Sequence, residues 1–372
     1  MKKIVSGCLY VGFLLLMVEA TLRFQRIGDL EFRKYDLSLL SDTLNHKPNP
    51  SEGYDEYGIQ IDNSRPSQFP AGVHPFTVLF MGDSFMQGLD PEHSIPAYIK
   101  DYFDKAEPGG KPILLLNAGY SSYSPAIYIP QAKKLIPHTK PDLVVVDIDE
   151  TDLVDDYANY RPLITRDQNG KIIGVKASPV YRAKVLGFTE LRKQPVYMVR
   201  FIGKGMLKAW IYFANRAYQK KHKAKYYEDP ASDRDMRFSY NLAPAFDPSS
   251  SEEKYAPEIE FFRTTVDELL ETLILLLGGP DKVLILYHPH LNHLTPDFRG
   301  VLWKSYVSPV VEEATSRHGI DFYNAADDLS KRFGLAPGRY YLEGNMHFNE
   351  EGLKIYAELI ANKIEDRLAK EV

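Results

Sequence analysis

The chain has 372 residues, 44 % hydrophobic and 26 % charged, the balance of a folded globular protein with room for one large domain or two ordinary ones. A net charge of -5 excludes a general nucleic-acid binder, which needs a basic excess to neutralise phosphates. The single cysteine, Cys8, excludes an intrachain disulfide.

The first predicted element lies in MKKIVSGCLYVGFLLLMVEATLRF, where two lysines precede an apolar stretch from Ile4 to Val18 and, past Glu19, to Leu22. As a helix, residues 4–22 would span about 28 Å, near the roughly 30 Å of a bilayer core. Residues 1–24 are therefore expected to be a retained membrane anchor. The alternatives are a signal cleaved after Ala20 and a buried soluble helix. Arg23, Arg26, Arg33 and Lys34 follow the span, which does not favour export, but long domains translocate regardless of flanking charge and the two-lysine start resembles an export signal. The domain is expected outside the cytoplasm. Residues 25–72 are expected to form a stalk, 37–72 being rich in Ser, Asn, Pro, Asp and Gly, the composition of a loop-rich linker.

From residue 73 onward, short apolar runs recur: FTVLFM at 76–81, PILLLNAG at 112–119, DLVVVDI at 142–148, KVLILYH at 282–288 and IDFYN at 320–324. Continuous runs of this length suit strands buried on both faces. Helical patterns fall between and around them at 91–105, 125–136, 256–277, 301–317 and 349–368. The alternation predicts a three-layer α/β/α domain around a five-stranded parallel sheet, built from 73–156 and 256–372. Residues 157–255 interrupt it as an inserted cap or side lobe. Here YRPLITRDQNGKIIGV reads as a hairpin around Asn169-Gly170. Between Leu191 and Tyr227 no acidic residue occurs, and Val199, Ile202, Met206, Trp210, Phe213 and Ala217 fall at helical spacing, giving a basic amphipathic helix. It is expected to pack on the core with a solvated basic face, the rival reading being contact with anionic lipid or an acidic glycan.

In such sheets ligands collect beyond the carboxyl ends of the strands. Ser84 follows the first strand, Gly119 the second, Thr151 and Asp152 the third, and His288 the fourth; His347 stands just before the last helix. A serine becomes a nucleophile when a base lies within hydrogen-bond reach, and histidine titrates near the working pH, so Ser84 and His347 form a candidate nucleophile and base. The rival reading makes Ser84 the cap of the next helix. In HPHLNHL, His288, His290 and His293 lie together, but no carboxylate or cysteine joins them at ligand spacing. No metal and no cofactor is expected, and Asp83, Asp152, His288 and His290 are read as cleft residues.

These blocks resemble the SGNH (GDSL-like) hydrolase family. GDSFMQG is similar to its nucleophile block, NAGYSSYS to its glycine block, VVVDIDETDLVDD to its Gly-x-Asn-Asp block and GNMHFNEEG to its histidine block. They occur in the family's order and spacing and imply its flavodoxin-like fold. The resemblance implies that Ser84 attacks an ester carbonyl, that His347 takes its proton, and that the backbone N–H groups of Ser84 and Gly119 hold the oxyanion. Two positions depart from the family. Its oxyanion asparagine falls on Thr151, and its aspartate before the histidine falls on Gly344, leaving Glu343 as the nearest substitute acid. The expected function is an esterase of the bacterial envelope acting on small acyl esters such as glycan O-acetyl groups. An O-acyltransferase with the same site, or a catalytically inactive relative that binds glycan or an envelope partner, are the alternatives.

Overall fold

The apolar runs form strands because each is covered on both faces. The computed structural model describes residues 2–24, 36–61, 74–106, 112–223, 252–296, 300, 302–343 and 346–369. Its strands are β1 (Phe76–Met81), β2 (Ile113–Asn117), β3 (Leu143–Ile148), the short pair β4 (Ile164–Arg166) and β5 (Ile172–Val175), then β6 (Val283–Tyr287) and β7 (Asp321–Asn324). Its helices are α1 (Lys2–Phe24), α2 (Ser84–Gln87), α3 (Ile95–Ala106), α4 (Pro125–Thr139), α5 (Glu150–Val154), α6 (Pro179–Arg192), α7 (Tyr197–Lys223), α8 (Ala256–Leu277), α9 (Leu291–Leu294), α10 (Ser308–His318), α11 (Ala326–Phe333) and α12 (Glu350–Leu368).

The main sheet is parallel, in the order β2-β1-β3-β6-β7. Alternation along the strands separates two apolar layers. Leu79, Met81, Val144, Val146 and Ile285 pack with α4, α8 and α10 on one face. Val78, Phe80, Val145, Leu284 and Leu286 pack with α3, α11 and α12 on the other. Because β2 and β3 flank β1 on opposite sides, the strand order reverses there, opening a crevice beyond the carboxyl ends of β1 and β3. The expected α/β architecture is present.

The expected membrane anchor is corrected by the structure: among the described residues no helix is long and apolar enough to cross a membrane. α1 carries Lys2, Lys3, Glu19 and Arg23, and its second half is held by polar contacts. The Glu19 carboxylate accepts the backbone N–H groups of Tyr197 and Met198 at 2.9 and 2.7 Å, and Arg23 donates to the Pro195 carbonyl at 2.9 Å. Backbone hydrogen bonds from Met198 and Tyr197 lower the Glu19 pKa. The expected localisation through a single retained N-terminal anchor is therefore not supported.

Of the expected stalk, residues 36–61 are described, and they lie against the domain. Leu39, Leu44, Tyr54 and Ile59 are buried. Leu44 bridges Val175, the Asn45 side chain donates to the Lys176 carbonyl at 2.7 Å, and Gln60 N donates to the Asn117 carbonyl at 2.7 Å. The hairpin turns through Asn169-Gly170 as expected and packs on α4 and α8, where Lys133 donates to the Ile172 carbonyl and Glu268 accepts the Ile172 N–H. α7 packs on α6 through Leu207, Ile211 and Ala214, which meet Val180, Phe188 and Leu191. The stripe expected to face the core points elsewhere: Val199, Ile202, Met206, Trp210 and Phe213 are exposed. α7 is covered by α6 and, at its start, by α1, which leaves much of its surface open, so hydrophobic spacing alone does not pick the packed face. Residues 224–251 of the insertion lie outside the described residues.

Candidate active site

At the end of β1 the chain turns through Gly82 and Asp83 into the four-residue α2. Asp83 Oδ1 accepts the Phe85 N–H at 2.8 Å, so the aspartate takes the capping role and Ser84 becomes the first helical residue. α2 ends at Gly88 with φ +79°; a Cβ there would stand 2.4 Å from the His93 carbonyl oxygen, so the turn requires glycine. His347 is presented by a tight loop ahead of α12. Leu342 N donates to its carbonyl at 2.9 Å, Tyr341 bridges Phe348, and the Asn349 side chain caps α12 by accepting Gly352 N at 3.0 Å.

These two turns bring His347 Nε2 to 2.7 Å from Ser84 Oγ. The Phe85 ring supports the imidazole at a centroid distance of 4.7 Å. Both residues open onto a cavity of about 250 Å3 lined by Ser84, Phe85, Gly88, Leu89, Leu342, His347, Phe348 and Leu353. Apart from the Ser-His pair that lining is apolar.

Burial pushes the His347 pKa down to about 4, against the attraction of the Asp149 carboxylate. The imidazole is therefore neutral, and able to take the Ser84 proton, down to mildly acidic pH. Any reaction using it as a base is expected to keep its kcat/KM well below neutrality and to lose half near pH 4. A pH–rate profile, with circular dichroism at each pH to separate unfolding, checks this; half-loss at the ordinary histidine value of 6.5 refutes it.

Asp83 Oδ2 also lies 3.2 Å from Ser84 Oγ and, when ionised, competes with His347 for the one hydroxyl hydrogen. Burial, followed by the nearby Asp149 and Asp147 charges, raises the Asp83 pKa well above the usual carboxylate range.

Two of the residues expected to hold an oxyanion, Gly119 and Thr151, are engaged elsewhere. Gly119 N donates to Asn117 Oδ1 at 2.9 Å, and its carbonyl accepts from Tyr54 Oη at 2.8 Å. It packs so closely that a Cβ would lie 2.7 Å from Met86 Cβ and 2.8 Å from Gln87 N. Thr151 donates from both N and Oγ1 to Asp149 Oδ1, at 2.8 and 2.6 Å. Asp152 is buried and accepts the Asp149 N–H at 3.3 Å, closing the first turn of α5. Burial, with Asp149 and Asp83 close by, raises its pKa well above the usual range. Glu343 is exposed on the loop before His347, and Gly344 lies outside the described residues.

His288 and His290 are buried behind the Ser-His pair. His288 Nδ1 lies 3.0 Å from Asp147 Oδ1, which also accepts from Tyr356 Oη at 2.8 Å. His290 Nε2 lies 2.8 Å from Asp149 Oδ2. Burial lowers the His288 pKa, but the Asp147 and Asp149 carboxylates outweigh it and raise the group to about 9. His293 stands apart, its Nδ1 accepting the His290 N–H at 3.1 Å, and burial lowers it to about 3. Sequence reasoning missed Asp147 and Asp149: no carboxylate neighbours the histidines along the chain, but β3 and β6 are adjacent strands. The available signal was the paired alternation, Asp-Ile-Asp closing one strand and His-Pro-His following the other.

No family model and no curated protein matches the chain. Solved structures do match it. The lipase/acylhydrolase from Enterococcus faecalis is 12% identical, over 78% of this chain and 96% of that chain, with a TM-score of 0.41. A catalytic mutant of the acetylxylan esterase Axe2 from Geobacillus stearothermophilus is 12% identical, over 79% and 94%, with a TM-score of 0.42. The psychrotrophic esterase EstA from Pseudoalteromonas sp. is 11% identical, over 79% and 97%, with a TM-score of 0.38. At such identities and scores, residue roles rest on the geometry of this chain.

Proposed function

We propose that the chain is a serine ester hydrolase acting on small acyl esters. The observation that carries this reading is the 2.7 Å contact between His347 Nε2 and Ser84 Oγ at the mouth of an apolar cavity. In acylation, Ser84 Oγ bonds to the ester carbonyl carbon while His347 Nε2 takes the hydroxyl proton. The imidazolium then gives that proton to the departing alcohol oxygen as the C–O bond breaks. In deacylation, His347 takes a proton from water as the water oxygen bonds to the acyl carbon, and gives that proton to Ser84 Oγ as the acyl C–Oγ bond breaks and the carboxylic acid leaves. The Ser84 N–H serves the developing oxyanion. With Gly119 N and Thr151 committed to internal acceptors, turnover is slow, since each missing donor costs about 10² to 10³ in rate. The acyl chain enters between Leu89, Leu342, Phe348 and Leu353, and a glycan O-acyl ester is the substrate class assigned to it.

Aryl esters of increasing acyl length test the reading. Each methylene buried in the cavity contributes about 0.8 kcal/mol, so kcat/KM is expected to rise about fourfold per carbon until the cavity is filled. Leu89→Trp, at a half-exposed wall, should reverse that trend while sparing the acetyl ester. A fluorophosphonate should label the wild type at Ser84. No turnover of any ester together with no labelling overturns the proposal.

A further inference from the structure

β3 and β6 pair with Asp147 beside Leu286 and Ile148 beside Tyr287, so the next positions, Asp149 and His288, emerge side by side at the sheet's carboxyl edge. Strand alternation carries Asp147, Asp149, His288 and His290 toward the same face. Asp147 Oδ1 accepts from His288 Nδ1, so Nε2 is the ring nitrogen turned toward Asp149, and an ion binding there displaces its proton. His288 Nε2 is buried and has no hydrogen-bond partner. It faces Asp149 Oδ2 at 3.8 Å, and His290 Nε2 approaches the same oxygen at 2.8 Å. Asp149 is held in turn through its other oxygen by Thr151 N and Oγ1.

We propose that Asp149, His288 and His290 bind a divalent zinc-class ion. Their ligand atoms all lie within 4.8 Å of one another. Around a tetrahedral zinc with bonds of 2.0 to 2.2 Å, ligand atoms stand about 3.3 Å apart, and the separations of 2.8 and 3.8 Å fall on either side of that value. Two imidazoles and one carboxylate suit zinc and its transition-metal neighbours; calcium and magnesium prefer oxygen-only sites. The Asp147-His288 bond is the carboxylate-to-histidine support that orients a metal-bound imidazole, and Thr151 supports the carboxylate in the same way. The expectation of no metal rested on the lack of a carboxylate near the histidines in sequence; the adjacent strand supplies one.

The three ligands are nearly sealed from solvent, with relative exposures of 1, 0 and 5%. An ion there reaches no substrate; it ties the end of β3 to the end of β6. Phe85, the residue after Ser84, packs its ring 4.0 Å from His288, so the tie also steadies the floor under the Ser-His pair. The site is filled as the chain folds. This inference goes beyond the ester reading and does not depend on it.

The test refolds the full chain from denaturant and chelator with Co2+ or Zn2+. Uptake of a single equivalent, with visible cobalt d–d absorption and a raised urea midpoint, is the expected result. Asp147→Asn should weaken cobalt affinity about 10- to 100-fold, and Asp149→Asn or His290→Gln should weaken it further. Ser84→Ala should keep full uptake. X-ray absorption on the zinc-loaded wild type should show two imidazoles, a readout that holds even where a variant does not fold. Absence of stoichiometric uptake by the wild type overturns the proposal. So do unchanged uptake in Asp149→Asn, a zinc shell without imidazole, or a thiolate charge-transfer band placing the ion at Cys8.

Discussion

Ser84→Ala is expected to lower kcat/KM for a short-chain aryl ester by roughly 10⁴-fold or more, and His347→Ala by a similar factor. The two side chains act as one unit: without the base the hydroxyl keeps its proton, and without the hydroxyl the base has nothing to activate. Their effects should therefore not add. The double variant should be about as slow as either single one, whereas independent contributions would multiply. Ser84 is only partly buried and alanine favours the helix it opens, so folding should be preserved. The measurement is a double-mutant cycle in kcat/KM with the urea midpoint of each variant as control. Retention of more than about a tenth of the activity in either single variant would exclude the Ser-His mechanism.

Phe85→Ala is expected to cost about 3 to 5 kcal/mol of stability, because truncating a buried aromatic leaves a cavity that its surroundings fill only in part. The ring is 1% exposed and contacts His288, His290, His347 and Phe348, so no single side chain can close the gap. The same change removes the floor beneath the His347 imidazole, and kcat should fall even under conditions where the variant stays folded. Phe85→Leu should restore most of the stability and less of the rate. Urea unfolding at fixed pH, read beside ester kinetics, separates the two. A stability loss below about 1 kcal/mol for Phe85→Ala would show that the ring does not support this cluster.

Much of the fold was legible because strands buried on both faces leave uninterrupted apolar runs. FTVLFM and KVLILY carry that signature without needing their neighbours. Ser84 and His347 were legible for a related reason: each is the polar residue at a junction between an apolar strand or loop and a helix, and strand order then brings them to one edge. Asp149 was not, because its importance depends on lying next to His288 across a strand pair. Gly119 was found, but its N–H is taken by Asn117 Oδ1, a contact that local spacing does not reveal. The expected anchor misled because an apolar segment of sufficient length was weighed without Glu19's partners, which lie on a helix 178 residues away. Residues 36–61 misled in the opposite direction. Their loop-like composition conceals a few apolar side chains, Leu39, Leu44, Tyr54 and Ile59, placed where the domain can cover them.

That N-terminal belt has a consequence for synthesis. Asn45 waits for Lys176, a partner made 131 residues later, and Asp36 waits for Arg192. At 5 to 20 residues per second the first of these delays is roughly 7 to 26 s. During that interval a nascent chain already holding β1 to β3 lacks Val175, the bridge partner of Leu44. The first-made part of the belt, 36–45, thus stays incomplete until the hairpin and α6 emerge, still ahead of β6 and β7.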